Sequence, residues 1–399
     1  MWYFNSPHIV YGEEALDFLS KIKGNKCFIV TDKVIEDLGY LKILTDKLDG
    51  LEKQYETFND VVPDPREEGI LKAKELCVAY KPDLIIALGG GSVIDTAKTL
   101  WVLYEFPEFE IDDVHAFRDD LYDLGKKTKF IAIPTTSGTG SETTFISVVS
   151  RFERDIWKKF FFLHRGMVPT YAIVDPIFPM GMPPRLTADS AFDALAHAIE
   201  AVGSLWRNEF SYALALKAIE LIFEYLPIAY HDGNNIKARD FLHQAASLAG
   251  LAISNGQAHI GHTLGHTWGS LFHVPHGRAV GIALPYVTQY VMNNDDPEDK
   301  TVDLLAKVAK QLGWAKWEDD TKQSAYKVID KVKNLQKEVD FPSKYEETDI
   351  SKEDFEKNLD LLVSLCFEDS SSVLSSRQVG GEEFKKLFRY AYEGKDIDF

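Results

Sequence analysis

Two rhythms divide the chain. Over its first half, short β-branched runs such as "CFIVTD", "DLIIALGG", "KFIAIPTT" and "YAIVD" each end in turn-forming or polar residues. Between some of them lie segments of helical period, for example "PREEGILKAKELCVAY". Strand, helix, strand in that order predicts a parallel sheet covered by helices. After about residue 183 the strand signals stop. "NEFSYALALKAIELIFEYL", "ARDFLHQAASLAGLAIS" and "AYKVIDKVKNLQKEV" all repeat their apolar positions with helical spacing. The prolines of "PMGMPPRL" (179–186) forbid a continuing helix and mark the boundary. The expectation is an α/β domain over 1–183 and an all-helical domain over 184–399.

Composition narrows the partners. A chain of 399 residues exceeds one ordinary core. Its formal charge of −18 argues against nucleic acid, which is held by clustered cations, and against an anionic membrane surface. No basic leader precedes the first apolar residues, and no run of about 18 apolar residues offers a membrane span. Cys27, Cys77 and Cys366 have neither disulfide nor zinc-ribbon spacing. These features together predict a cytoplasmic protein.

Two glycine- and hydroxyl-rich loops follow predicted strands. "DLIIALGGGSVIDTAK" is a buried strand, three glycines and a helix start, with Ser92 and Asp95 at capping-box spacing. Glycines let a ligand approach the backbone, and the free amides of a helix N-terminus attract phosphate. "FIAIPTTSGTGSETT" is a second such strand end, carrying Thr135, Thr136, Ser137, Gly138, Thr139 and Gly140. The fingerprint G-x-G-x-x-G is absent, so each loop alone is equally a tight turn. The pair favours a nucleotide phosphate in the crevice beyond the strands' carboxyl ends.

Five of the eleven histidines fall in "HIGHTLGHTWGSLFHVPHG" (259–277). His262 and His266 are four apart and share a helical face, with His259 close to it; His273 and His276 follow beyond a turn at Pro275. Uncharged imidazoles gain little by packing together, whereas a metal gives each a partner. "TADSAFDALAHAIEA" supplies a carboxylate: Asp193 and His197 are also four apart on one face. Helical metal sites are built from such inward-facing pairs.

In this order and at these separations, "GGGSVIDTAK", "IPTTSGTGSE", "MPPRLTADSAFDALAHAIEA" and "HTLGHTWGSLFHVPHG" resemble the iron-containing (group III) alcohol dehydrogenases over nearly the whole chain. The resemblance implies a dehydroquinate-synthase-like fold: an N-terminal dinucleotide-binding α/β domain, a helical metal- and substrate-binding domain, and a metal in the cleft between them. By position, Asp193, His197, His262 and His276 match the family's metal ligands. His266 matches a further histidine beside the substrate and is the candidate catalytic residue. Gly90, Gly91, Ser92 and Asp95 fall in the pyrophosphate loop, and Thr135, Thr136 and Thr139 in the second cofactor loop. Lys159 matches a lysine that contacts the cofactor, and Asp32 the position facing the adenosine ribose; the other reading of Asp32 is a strand-end carboxylate capping the turn before "KVIEDLG". His259 and His273 match no assigned role and are read as supporting or packing residues. Tyr286, where relatives often carry histidine, and the polar "NGQAHIG" are departures that bear on substrate choice.

The chemistry so implied is a metal- and NAD(H)-dependent interconversion of small primary alcohols and aldehydes. The ion acts as Lewis acid, the cofactor carries the hydride, and His266 relays the alcohol proton. A carboxylate at position 32 prefers NAD(H) over NADP(H), since it accepts from a 2′-hydroxyl and repels a 2′-phosphate. Three imidazoles and a carboxylate suit one divalent ion, Fe²⁺ or alternatively Zn²⁺. Polyol (glycerol-type) dehydrogenases and dehydroquinate-synthase-type lyases are rivals on the same fold. A phosphorylated substrate would want several cations, and the histidine segment brings only Arg278. A non-catalytic metal- or nucleotide-binding protein would need no ordered pair of cofactor loops beside a metal site. The sequence names neither the alcohol nor the number of subunits, and leaves a homo-oligomer open.

Overall fold

The computed structural model describes residues 3–153 and 156–399. Its strands are β1 (His8–Tyr11), β2 (Lys26–Val30), β3 (Gln54–Phe58), β4 (Leu84–Gly89), β5 (Lys129–Pro134), β6 (Ile146–Glu153), β7 (Ile156–Leu163) and β8 (Tyr171–Val174). Six of them form a parallel sheet in the order β1-β8-β5-β4-β2-β3, while β6 and β7 pair as an antiparallel hairpin. Helices α1 (Lys33–Asp37), α2 (Tyr40–Gly50), α3 (Glu67–Tyr80) and α4 (Gly91–Glu105) connect the first strands. Then follow α5 (Pro184–Gly203), α6 (Glu209–His231), α7 (Ile236–Gly256), α8 (Ile260–Phe272), α9 (His276–Met292), α10 (Thr301–Gln311), α11 (Thr321–Glu338), α12 (Lys352–Glu368) and α13 (Gly381–Glu393). None of these helices is long and apolar enough to cross a membrane.

The sheet explains its own sequence. Each inner strand is buried on both faces, so its apolar run is continuous, and alternate residues feed different cores. Leu84, Ile86 and Leu88 of β4 join Leu44 and Leu48 of α2, while Ile85 and Ala87 join Ala73 of α3 and Ile94 and Ala97 of α4. The four strands legible in the sequence are β2, β4, β5 and β8. The edge strands β1 and β3 escape that reading because "HIVY" and "QYETF" are short and half exposed.

The chain forms two compact units, Met1–Met182 with Gly233–Ser254, and Pro183–Asp232 with Asn255–Phe399. A single cut after residue 183 therefore does not describe it: most of α7 belongs with the α/β unit. Its polar groups find their partners there. Ser247 Oγ donates to Glu142 at 2.7 Å, Thr143 Oγ1 donates to the Ser247 carbonyl at 3.2 Å, and His243 Nδ1 lies 3.0 Å from Ser137 Oγ. Helical periodicity reports that a segment is a helix with an apolar face, but not which core receives that face.

In the second unit α5 packs against α6 and α9, and α8 against α9 and α12. From Thr187 to Gly203 every residue of α5 is buried. Behind α8, Trp268 stacks on Tyr345 at 4.1 Å and Phe355 on Tyr392 at 4.7 Å. This aromatic core holds the outer face of α8 and leaves its histidine face to the site.

Candidate active site: a histidine cluster and two glycine-rich loops

The imidazoles converge on Asp193. Nε2 of His276 lies 3.2 Å from Asp193 Oδ1, and Nε2 of His197 and of His262 each lie 3.8 Å from the same oxygen. Among the described residues Asp193, His262 and His276 form the tight group, with one ligand atom each within 4.8 Å of the others. His197 joins through Asp193 and stacks on His262, ring centroids 4.6 Å apart. Asp193 Oδ1 and His262 Nε2 are nonetheless buried without a hydrogen-bond partner. Buried polar atoms left so are costly unless something else satisfies them. Ligands about 2.1 Å from a tetrahedral ion stand roughly 3.4 Å apart, so the observed spacing fits a divalent ion.

Electrostatics prepare these groups for that use. Burial pushes His197 down to about 3 and His262 to about 4, which keeps both imidazoles neutral, as metal ligation requires. Burial would raise the Asp193 carboxyl, but the positive charge that His197 and His276 carry when protonated in acid outweighs it and holds the group below the usual carboxylate range.

Two carboxylates that the sequence reading missed hold the cluster in place. Glu200 accepts from the backbone N–H of His259 at 2.7 Å and of His262 at 3.4 Å, and lies 2.9 Å from His262 Nδ1. A proton on Nδ1 shared with Glu200 leaves the Nε2 lone pair aimed at Asp193. The sequence carried a signal: Glu200 follows Asp193 and His197 at i+7 and i+3, one more polar residue on the same face of an apolar helix. Asp369, just beyond α12, lies 2.8 Å from His266 Nδ1. It comes from a distant "EDSSS" with no periodic cue. Burial pushes His266 down to about 4. Burial opposes the charge on Asp369, yet His266 and the Ser371 N–H more than compensate and lower its carboxyl.

The remaining histidines divide by place. His259 is buried at the N-terminus of α8, its backbone tied to Glu200. His273 is exposed and closes α8 with φ 56°, a left-handed turn that brings Pro275 and His276 round. Tyr286 is buried on α9 and donates to the Ser343 carbonyl at 2.7 Å.

In the α/β unit the two loops extend from neighbouring parallel strands, with Gly89 opposite Pro134 in register. Gly90 is the N-cap of α4 and has no side chain to cap it, so Gly91 and Ser92 open the helix with backbone amides available to an anion. The loops touch: a Cβ on Gly91 would stand 2.8 Å from Thr139 Cγ2, and one on Gly90 3.3 Å from Thr136 Cγ2. Thr135 N–H donates to the Gly89 carbonyl at 3.1 Å. Asp95 has both oxygens engaged, accepting from Ser141 Oγ at 2.6 Å and Val148 N–H at 3.0 Å. Lys98, fully buried, donates to Ser141 Oγ, Thr144 Oγ1 and the Ile146 carbonyl at 2.9, 3.0 and 2.7 Å. In this structure Asp95 thus secures the second loop onto α4. Asp32 is the N-cap of α1 and accepts from Ile35 N–H at 2.9 Å through one oxygen. Lys159, on β7, pairs with Asp64 at 3.0 Å.

Residues 6–176 match the family model for iron-containing alcohol dehydrogenase, and residues 187–392 that for the C-terminal part of the Fe-containing alcohol dehydrogenase family. The chain is 37% identical to an NADPH-dependent butanol dehydrogenase of Clostridium saccharobutylicum, over 100% of both. It is 35% identical to a bifunctional aldehyde-alcohol dehydrogenase of Escherichia coli, over 96% of this chain and 45% of that longer protein. The solved structure of an iron-containing alcohol dehydrogenase from Thermococcus thioreducens superposes with a TM-score of 0.86 at 29% identity, covering 99% of this chain and 100% of that one. The fold is accordingly dehydroquinate-synthase-like. With both family models matched and their motifs in order, the chain belongs to the iron-containing alcohol dehydrogenase family, and as such is an NAD(P)-dependent oxidoreductase acting on alcohols.

Proposed function

We propose that the enzyme interconverts short, uncharged primary alcohols and aldehydes, using NAD(H) in preference to NADP(H) and one ion held by Asp193, His197, His262 and His276. The observation that carries this reading is the set of three imidazole Nε2 atoms around Asp193 Oδ1, an oxygen that no hydrogen bond satisfies. Family membership favours iron as the ion, and the donor set would equally accept zinc. When bound, the ion supplies Lewis acidity toward an alcohol hydroxyl and the dinucleotide supplies the hydride-accepting ring.

The chain's own residues do the rest. Glu200 holds His262 in the tautomer that offers Nε2. Asp369 does the same for His266, whose Nε2 is then a neutral base able to take the hydroxyl proton. Gly91 and Ser92 offer amides to a pyrophosphate. The free oxygen of Asp32 suits a ribose 2′-hydroxyl and repels a 2′-phosphate. The butanol and propanediol named for similar proteins set the expected substrate size. An uncharged substrate follows from Arg278, the one cation of the histidine segment, which is paired with Asp189 at 2.9 Å.

The test is metal analysis of anaerobically purified protein, then short aldehydes with NADH and NADPH, for wild type and His262→Ala. Loss of metal together with activity is expected in the variant. Full metal occupancy in His262→Ala would refute the ligand set.

A further inference from the structure

The first turn of α9 passes close beside α5, with almost nothing between the backbones. A Cβ added to Gly277 would stand 2.2 Å from the Asp189 carbonyl oxygen and 3.1 Å from Asp193 Cβ. Position 277 therefore admits glycine alone. The crossing lies at the ligands themselves: Asp193 is one turn after Asp189 on α5, and His276 is the first residue of α9. Across it, Arg278 Nε donates to Asp189 Oδ1 at 3.0 Å and Nη2 donates to Oδ2 at 2.9 Å. Both residues are buried.

Two parallel bonds from a planar guanidinium fix separation and rotation together, which a single contact does not. Burial pushes the Asp189 carboxyl up to about 7, with the charge of Arg185 opposing the rise. Neither side chain is a candidate ligand. Each stands on the same element as one, four residues before Asp193 and two after His276.

We propose that the Asp189–Arg278 pair is a positioning clasp that sets the approach of His276 Nε2 to Asp193 Oδ1 before any ion binds. This inference rests on the ligand set proposed above. The clasp acts through Gly277, the only residue between His276 and Arg278, so a change in the fork is passed to His276 through a single close-packed link.

Removing one partner strands a buried charge, so the decisive protein is the double variant Asp189→Leu/Arg278→Met. An apolar pair of similar volume can restore folding without directional bonds. Two quantities are measured on metal-free protein: the Tm, and the affinity for zinc by chelator competition. The double variant should melt near wild type yet bind zinc about 10–100-fold more weakly, the usual loss when an outer support of a ligand is removed. Wild-type zinc affinity in the double variant overturns the clasp. If that protein does not fold, Arg278→Lys keeps the charge and loses the fork. The same weakening is expected there, and wild-type affinity overturns the inference. His276→Ala separates the two claims. Retained zinc affinity in it overturns the ligand set and the clasp with it. Lost affinity there, beside wild-type affinity in the clasp variants, removes the clasp alone.

Discussion

Replacing Glu200 by glutamine keeps the shape of the side chain and exchanges one acceptor for a donor. In the native arrangement one oxygen accepts from the His259 N–H at 2.7 Å, and the other faces His262 Nδ1 at 2.9 Å. The glutamine carbonyl can keep the first bond, because a backbone N–H leaves no choice of polarity. Its amide then faces Nδ1 as a donor. His262 can answer only by moving its proton to Nε2, the atom pointed at Asp193. Ligation and hydrogen bonding thus come into conflict on one ring. Loss of such a support weakens metal binding about 10–100-fold, or roughly 1.4–2.7 kcal/mol. Gly261 at the start of α8 makes room for this carboxylate, since a Cβ there would stand 2.2 Å from Glu200 Oε1. The assay is chelator competition on Glu200→Gln, with the metal-free Tm alongside to separate folding from ligation. A normally folded variant with wild-type metal affinity would show that Glu200 does not govern the His262 tautomer.

Other outcomes follow from the same geometry. His266→Ala should keep its metal but turn over about 10²–10⁴-fold more slowly if proton transfer is its task; loss of metal would make it a ligand. Asp32→Gly should relax the preference for NAD(H), seen as a change in the ratio of kcat/KM for the two cofactors, at a stability cost of only a few tenths of a kcal/mol because glycine is a fair N-cap. Equal use of both cofactors by the wild type would contradict the role given to Asp32. His243, fully buried beside Ser137, is pushed down by burial to about 4. A depressed histidine means that the unfolded chain takes up a proton the folded one refuses, so stability is lost as pH falls from about 6.5 toward 4. Between pH 7.5 and 5 this should cost about 2 kcal/mol. His243→Gln should show a shallower loss in urea titrations at the two pH values, and an identical slope would exclude the residue as the source.

Sequence alone determined what depends on neighbours along the chain. Apolar runs bounded by turns marked β2, β4, β5 and β8, because strands buried on both faces carry no polar residue to blur the signal. The i,i+4 spacings of Asp193 with His197 and of His262 with His266 placed each pair on one face of its helix. The glycines before α4 marked the start of a helix. Tertiary structure decided what depends on which faces meet. It assigned α7 to the α/β unit, which no periodicity within α7 could reveal. It brought Asp369 to His266 across 103 residues and Arg278 to Asp189 across 89. It also engaged Asp95 with Ser141 and Val148, partners that the resemblance placing Asp95 in the pyrophosphate loop did not indicate. A carboxylate's partner is set by where the backbone carries it in space, and sequence spacing reports that only within a single helix or turn.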